Sequence, residues 1–175
     1  MLESGELVAA LRERFTDGPL AGRRVLITAG PTREPVDPVR FVGNRSSGRM
    51  GYAVAAAAAA AGARVCLVSG PVALPSPPGV ERVAVETALE MHAAVMARVA
   101  QAEVFISTAA VADYRVAEPA LEKIKKRADT LELRLVRNPD ILAEVAARPD
   151  APFTVGFAAE TGDLVSFIVK LDTVD

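Results

Sequence analysis

The sequence predicts a three-layer α/β sandwich on a mostly parallel sheet, and three observations carry that prediction. Short apolar runs, Val25-Leu26-Ile27 and Val65-Cys66-Leu67-Val68 among them, recur along the chain and are bounded by charged or turn-forming residues. Segments with helical periodicity separate them, and strands alternating with helices are the order that right-handed crossovers impose on a parallel sheet. An uninterrupted alanine run from Ala55 to Ala61 supplies a helix face small enough to press closely on such a sheet.

The elements follow in order. Residues 7–15 have apolar positions at helical spacing and end at Asp17-Gly18-Pro19, so residues 1–19 read as a helix and linker ahead of a domain spanning 20–175. Arg24–Ala29 reads as a buried strand, bounded by Gly30-Pro31. Pro35, Pro38 and Gly43 break up residues 32–44, which read as a loop with room for a short strand at 39–42. Ser46-Ser47-Gly48 opens the alanine-rich helix, which runs to Gly62, and residues 63–69 form the next strand. A strand at 80–85, a helix at 88–100 and a buried strand at 104–107 repeat the pattern. After a long polar segment, Leu131, Leu133 and Leu135 alternate with polar residues and predict a half-exposed strand at 131–135. Asn138-Pro139-Asp140 introduces a helix at 141–147, and residues 153–157 are the last clear strand. With no internal repeat, this order is that of a Rossmann-like domain.

Composition narrows the function. The 175 residues are 51% hydrophobic with mean hydropathy +0.26, and 20 Lys+Arg face 22 Asp+Glu, which excludes a charged disordered chain. The same balance argues against nucleic acid as a partner, because phosphate-backbone binding needs a concentrated positive surplus. One cysteine, Cys66, and one histidine, His92, exclude a disulfide framework and a multi-Cys or multi-His metal site, leaving carboxylate-bound Mg²⁺. Cys66 lies within a strand and reads as a small core residue, and His92 reads as a helix-surface residue. The N-terminus mixes acids, bases and apolar residues unlike a signal peptide, and the apolar stretch 52–63 is too short to span a bilayer. The expectation is a cytoplasmic protein with no membrane partner.

Ligands of such a sheet gather outside the carboxyl ends of the strands. The first strand end, Thr28-Ala29-Gly30-Pro31-Thr32, lacks Gly-x-Gly-x-x-Gly. Gly43 and Gly48 have the glycine spacing of a P-loop, but Arg49 and Met50 replace its Lys and Ser/Thr, so that motif is set aside. What remains is two hydroxyls, Ser46 and Ser47, with Gly48 and a cation at a helix N-terminus. Either they receive an anion on free N–H groups, or the serines cap the helix and Gly48 permits close packing. Ser107-Thr108-Ala109-Ala110 leaves a buried strand with side chains small enough for a flat ligand, and Asp113 is placed to accept from a base or ribose or else is solvated. Lys123-Ile124-Lys125-Lys126-Arg127 puts four positive charges in five positions of the longest unstructured connection, a solvated face or a cationic flap. Phe157, near the end of the last strand, reads as a core aromatic or as a stacking platform. No Gly-x-Ser-x-Gly elbow supports a hydrolase.

Taken together, ITAGPTREPVDPVRFVGNRSSGRMGYA (27–53), AAVADYR (109–115), EKIKK (122–126), RNPDIL (137–142) and VGFAAET (155–161) resemble the phosphopantothenoylcysteine synthetase domain, also called phosphopantothenate–cysteine ligase, of coenzyme A biosynthesis. The resemblance covers about residues 20–165. It implies a two-step ligation. The carboxylate of 4′-phosphopantothenate attacks the α-phosphorus of CTP, giving an acyl-cytidylate and pyrophosphate; the amine of L-cysteine then displaces CMP. Mg²⁺ is expected with the triphosphate. The resemblance also implies a homodimer with active sites at its interface, where the strand at 131–135 is expected to pair. It further implies a flavin-dependent decarboxylase, fused or associated.

Carried over by matching motif, Asn44 orients the acyl-cytidylate and Lys123 steadies charge at the reacting phosphate. Gly30, Ser107, Thr108, Ala109 and Asp113 match nucleotide-binding strand ends, Pro139, Asp140, Ile141, Leu142 and Phe157 the remaining cytidine contacts, and Ser46, Ser47 and Gly48 the phosphate end. No metal ligand is assigned. Arg49 stands where the family commonly has lysine. After Thr161 the sequence departs from the family's helix with nucleotide-contacting lysines, so the C-terminal part is expected to be incomplete and Lys170 is not assigned. Two other readings remain. An NAD(P) oxidoreductase requires the missing glycine fingerprint, and a regulatory nucleotide-binding module would bind CTP without releasing pyrophosphate.

Overall fold

The computed structural model describes residues 18–126, 129–158 and 166–170. The helix expected at 7–15, Arg127 and residues 159–165 lie outside the described residues.

The centre of the molecule is β1 (Arg24–Ala29), buried from its second residue onward. It pairs in parallel with β4 (Arg64–Ser69) on one side and β6 (Val104–Ser107) on the other. β5 (Val80–Ala84) extends the sheet beyond β4, and β9 (Phe153–Ala158) extends it beyond β6, again in parallel. β10 (Ser166–Lys170) closes that side antiparallel to β9, at positions where the sequence offered no clear strand. The sheet order is β10-β9-β6-β1-β4-β5, so the chain winds outward from β1 first in one direction and then in the other. The reversal falls between β1 and β6, the place where such sheets leave a crevice for ligands. The Rossmann-like reading is therefore correct.

Strand alternation divides the core in two. Val25, Ile27 and Ala29 of β1, with Val65 and Leu67 of β4, face helix α1 (Arg49–Ala60), whose Tyr52, Ala55 and Ala58 are buried against them. Leu26 and Val68 face the opposite layer, formed by α2 (Ala88–Val99) and α3 (Ile141–Ala146) through Met91, Val95, Val99, Ile141 and Val145. His92 is half-buried and pairs with Glu144 of α3 at 2.7 Å, so it ties the two helices together rather than facing solvent alone.

Two expectations need correction. The short strand with room at 39–42 is β3 (Arg40–Gly43), one residue later, and the rest of residues 32–44, read as loop, supplies its hairpin partner β2 (Arg33–Asp37). Prolines are tolerated because this ribbon has two strands and therefore only edges. Asp37 makes its turn by accepting the N–H groups of Val39 and Arg40 at 2.9 and 3.0 Å. The half-exposed strand is β8 (Leu135–Arg137), not 131–135, because its partner β7 (Tyr114–Val116) offers only three residues to pair with.

Candidate functional site

The site grows from the carboxyl ends of β1 and β6. Thr28, buried near the end of β1, accepts at its carbonyl the N–H and hydroxyl of Thr108, at 3.2 and 2.5 Å. Gly30 accepts the N–H of Ala110 at 2.9 Å, and the Thr32 hydroxyl accepts that of Ala112 at 2.9 Å. The small-residue loop after β6 is thus fastened to the β1 loop, with Ser107 beside Thr28 at 3.5 Å.

Helix α1 points its N-terminus at the same crevice. Its N-cap is Gly48, in the left-handed region at φ 74°, and no side chain caps the helix. The Ser46 hydroxyl instead accepts the N–H of Gly48 at 3.3 Å, so the capping explanation for the two serines does not hold. A Cβ at Gly51 would lie 2.4 Å from the Thr108 hydroxyl and 2.5 Å from the Ala29 Cβ. Only glycine lets the first turn of the helix settle this closely on both strand ends. First-turn N–H groups with no side-chain acceptor, together with the helix dipole, make an anion-binding end.

Two adjoining clefts result. One of about 440 Å³ is lined by residues 45–51, by Thr108, Ala109 and Ala110, and by Phe157; its charged side chains are Arg45 and Arg49. The other, about 410 Å³, is lined by Asn44, Ser107, residues 109–113, residues 137–142 and Phe157, and it carries both Asp113 and Arg137. Ala109, Ala110 and Phe157 belong to both. A cationic chamber with free amides thus opens beside a mixed chamber with small walls, a division that suits phosphates on one side and a base and sugar on the other.

Most residues named from sequence come together here. Asn44 donates its amide to the Val111 carbonyl at 3.0 Å, which fixes it at the mouth of the second cleft. Asp140 lines that cleft but also caps α3, accepting the N–H of Ala143 at 2.9 Å. Ile141 is largely a core residue, and Leu142 packs against Gly156. Gly30 (φ 77°) lies behind the α1 terminus, 3.4 Å from where a Gly48 Cβ would be, and lines neither cleft. Lys123 lines neither cleft; it is exposed, on a segment whose neighbouring residue Ile124 bonds to the hairpin.

Two contributors were not assigned a role from sequence, although Asn138 lies in the strand-end loop 138–140 named there. Asn138 holds the second cleft together, donating to the Ala112 carbonyl at 2.7 Å and accepting from Arg115 at 3.1 Å. An asparagine directly before a proline at a strand end was the available signal. Asp37 is buried beneath the hairpin turn. Burial pushes its carboxyl up, but the N–H groups of Val39 and Ile124 and the Arg40 guanidinium outweigh that and hold it below the ordinary carboxylate range.

A cavity of about 500 Å³ lies at the opposite end of the sheet, between the amino ends of β1 and β4 and the last turn of α2. Though larger, it is lined by strand starts and by Arg24, which is bonded to the Gln101 carbonyl, so strand-end loops and helix N-termini do not converge on it. Among the described residues no group of three or more His, Cys, Asp or Glu could hold a metal ion, and no helix is long and apolar enough to cross a membrane.

Residues 20–170 match the family described as the DNA/pantothenate metabolism flavoprotein C-terminal domain. The coenzyme A biosynthesis bifunctional protein CoaBC of Vibrio cholerae is 56% identical over 170 residues, covering 95% of this chain and 43% of its own length. The protein of the same name from Escherichia coli K12 is 61% identical over 147 residues, covering 82% of this chain and 36% of its own. The chain therefore spans less than half the length of these relatives. The crystal structure of the C-terminal domain of a CoaBC protein superposes with a TM-score of 0.71 at 47% identity, covering 82% of this chain and 68% of that one.

Proposed function

The chain belongs to the DNA/pantothenate metabolism flavoprotein C-terminal domain family, and from that membership we propose that it carries phosphopantothenate–cysteine ligase activity in coenzyme A biosynthesis, with CTP as the activating nucleotide. The observation that carries the proposal is the pairing of clefts: an uncapped helix end with Arg45 and Arg49 beside a chamber holding Asn44 and Asp113. The triphosphate occupies the first, where guanidinium groups and helix N–H groups neutralise it. The cytidine lies in the second against Phe157 and the residues from Pro139 to Leu142. The pantothenate carboxylate attacks the α-phosphorus and pyrophosphate leaves; the amine of cysteine then attacks the acyl carbon, loses a proton and expels CMP. Such chemistry needs positioning and charge neutralisation rather than a protein nucleophile.

Asn44 orients the acyl-cytidylate, its amide already held by the Val111 carbonyl, and Lys123 steadies the reacting phosphate. Mg²⁺ accompanies the triphosphate; this ion keeps much of its water and binds mainly through substrate phosphates, so it requires no protein cage. The working form is a cytoplasmic homodimer. Exposed Val39 and Phe41 on the hairpin, and Tyr114 and Leu135 on the β7–β8 pair, are the apolar surface a second copy would cover. The relatives' name, bifunctional, supports a decarboxylase as the fused or associated partner activity.

The test is turnover. Full-length protein given CTP, 4′-phosphopantothenate and cysteine is expected to release pyrophosphate and CMP in equal amounts, and Asn44→Asp is expected to disturb the acyl-cytidylate. Binding of CTP with no pyrophosphate release would favour a regulatory module and overturn the ligase reading.

A further inference from the structure

The Asp37 carboxylate is wholly buried, yet the hairpin turn uses only half of it. Oδ1 accepts the N–H groups of Val39 and Arg40, which is all an Asx turn requires and all an asparagine would supply. Oδ2 accepts the Arg40 guanidinium at 3.0 Å and, from 87 residues away, the N–H of Ile124 at 3.1 Å. Arg40 also reaches the Ile124 carbonyl at 3.4 Å, so both polar groups of that residue's backbone are gripped. A further tie, Ala120 N–H to the Val36 carbonyl at 2.9 Å, fastens the same segment to β2. Lys123 is one peptide bond from this clamp, and β3 runs directly from it to Asn44. Burying a carboxylate is costly unless its lone pairs are filled, and here the second oxygen is shared between the Arg40 guanidinium of the hairpin and the backbone of the distant segment.

We infer that Asp37 is a positioning residue for Lys123, acting through the Ile124 amide, so that one hairpin sets the place of both Asn44 and the flap lysine. The inference rests on the role proposed above for Lys123. Asp37→Asn isolates the effect. The amide oxygen preserves the turn, while the amide nitrogen replaces Oδ2 and confronts two donors.

In the full chain, Asp37→Asn is expected to slow pyrophosphate release at saturating CTP and phosphopantothenate by about tenfold to a hundredfold, the range that misplaced groups produce. Amide exchange should accelerate at Ile124 and remain slow at Val39 and Arg40. Lys123→Gln should slow the same step, and the double variant should be no slower than the slower single, because the two act as one unit. An unchanged rate in Asp37→Asn, with Lys123→Gln impaired, would overturn the inference, as would multiplying effects. Full activity in Lys123→Gln would instead overturn the lysine's proposed role and the inference with it. If Asp37→Asn does not fold, Ala120→Pro removes the neighbouring tie without touching the carboxylate. It is expected to slow the same step, and faster Ile124 exchange at an undiminished rate would count against the inference.

Discussion

Helices α1 and α2 are each twelve residues long, lie on opposite faces of one sheet, and begin in opposite ways. The N-terminus of α2 is capped by the protein's own side chains. Thr87 accepts the N–H of Glu90 at 3.2 Å, the Glu90 carboxylate returns to the N–H of Thr87 at 3.3 Å, and buried Glu34 accepts the N–H of Ala88 at 3.0 Å. The N-terminus of α1 has no capping side chain and no acid in its first turn; its cap is a left-handed glycine and its nearest charges are Arg45 and Arg49. The backbone imposes this difference: Thr87 is extended and can cap, whereas position 48 is left-handed and a Cβ there would lie 2.8 Å from the Val72 side chain, so no serine or aspartate fits. One helix end is finished by the protein's own side chains, and the other is not; the second is the end proposed above to receive phosphate.

That contrast can be broken at three points. The largest effect is expected from Gly51→Val, whose side chain would meet the Thr108 hydroxyl and Ala29 at under 3 Å. It should lower stability by about 1–3 kcal/mol, as overpacking does, and abolish CTP binding; denaturant unfolding and calorimetric titration read the two. Arg49→Glu separates them. A carboxylate in the first turn of α1 should raise unfolding free energy by about 0.3–1 kcal/mol through the helix dipole. The same change should weaken CTP binding by about tenfold or more, some 1.4 kcal/mol. Undiminished CTP affinity in this variant would show that the bare end is not a phosphate site. The smallest effect is at the finished end. Thr87→Ala should cost about 1 kcal/mol in thermal or denaturant unfolding and leave CTP affinity unchanged.

How much of this was legible follows from where each partner lies. β1, β4 and β6 were readable because strands buried on both faces must be continuous apolar runs, and the alanine run announced a helix packed at close range. Of the hairpin only the second strand was readable. Arg33-Glu34-Pro35-Val36-Asp37 has the composition of a loop, and its two carboxylates are buried only because donors 54 and 87 residues away reach them. The alternating leucines pointed to a strand correctly in kind but four residues early, since pairing is set by β7 and not by the alternation itself. In the site, Ser46, Ser47, Gly48, Thr108 and Phe157 come from three separate motifs and line one cleft, whereas Lys123 enters neither cleft and Asn138, legible only as part of a strand-end loop, braces the second.

The central position of β1 has a consequence during synthesis. Its second neighbour, β6, begins with Val104, which pairs with Val25, 79 positions earlier. At ribosomal rates of roughly 5–20 residues per second, the central strand, buried in the finished fold from its second residue onward, therefore waits about 4–16 s, with one edge unpaired, for the strand that will cover it. Until then the nascent chain presents an open β edge to its neighbours, and its protection against aggregation in that interval must come from outside the fold.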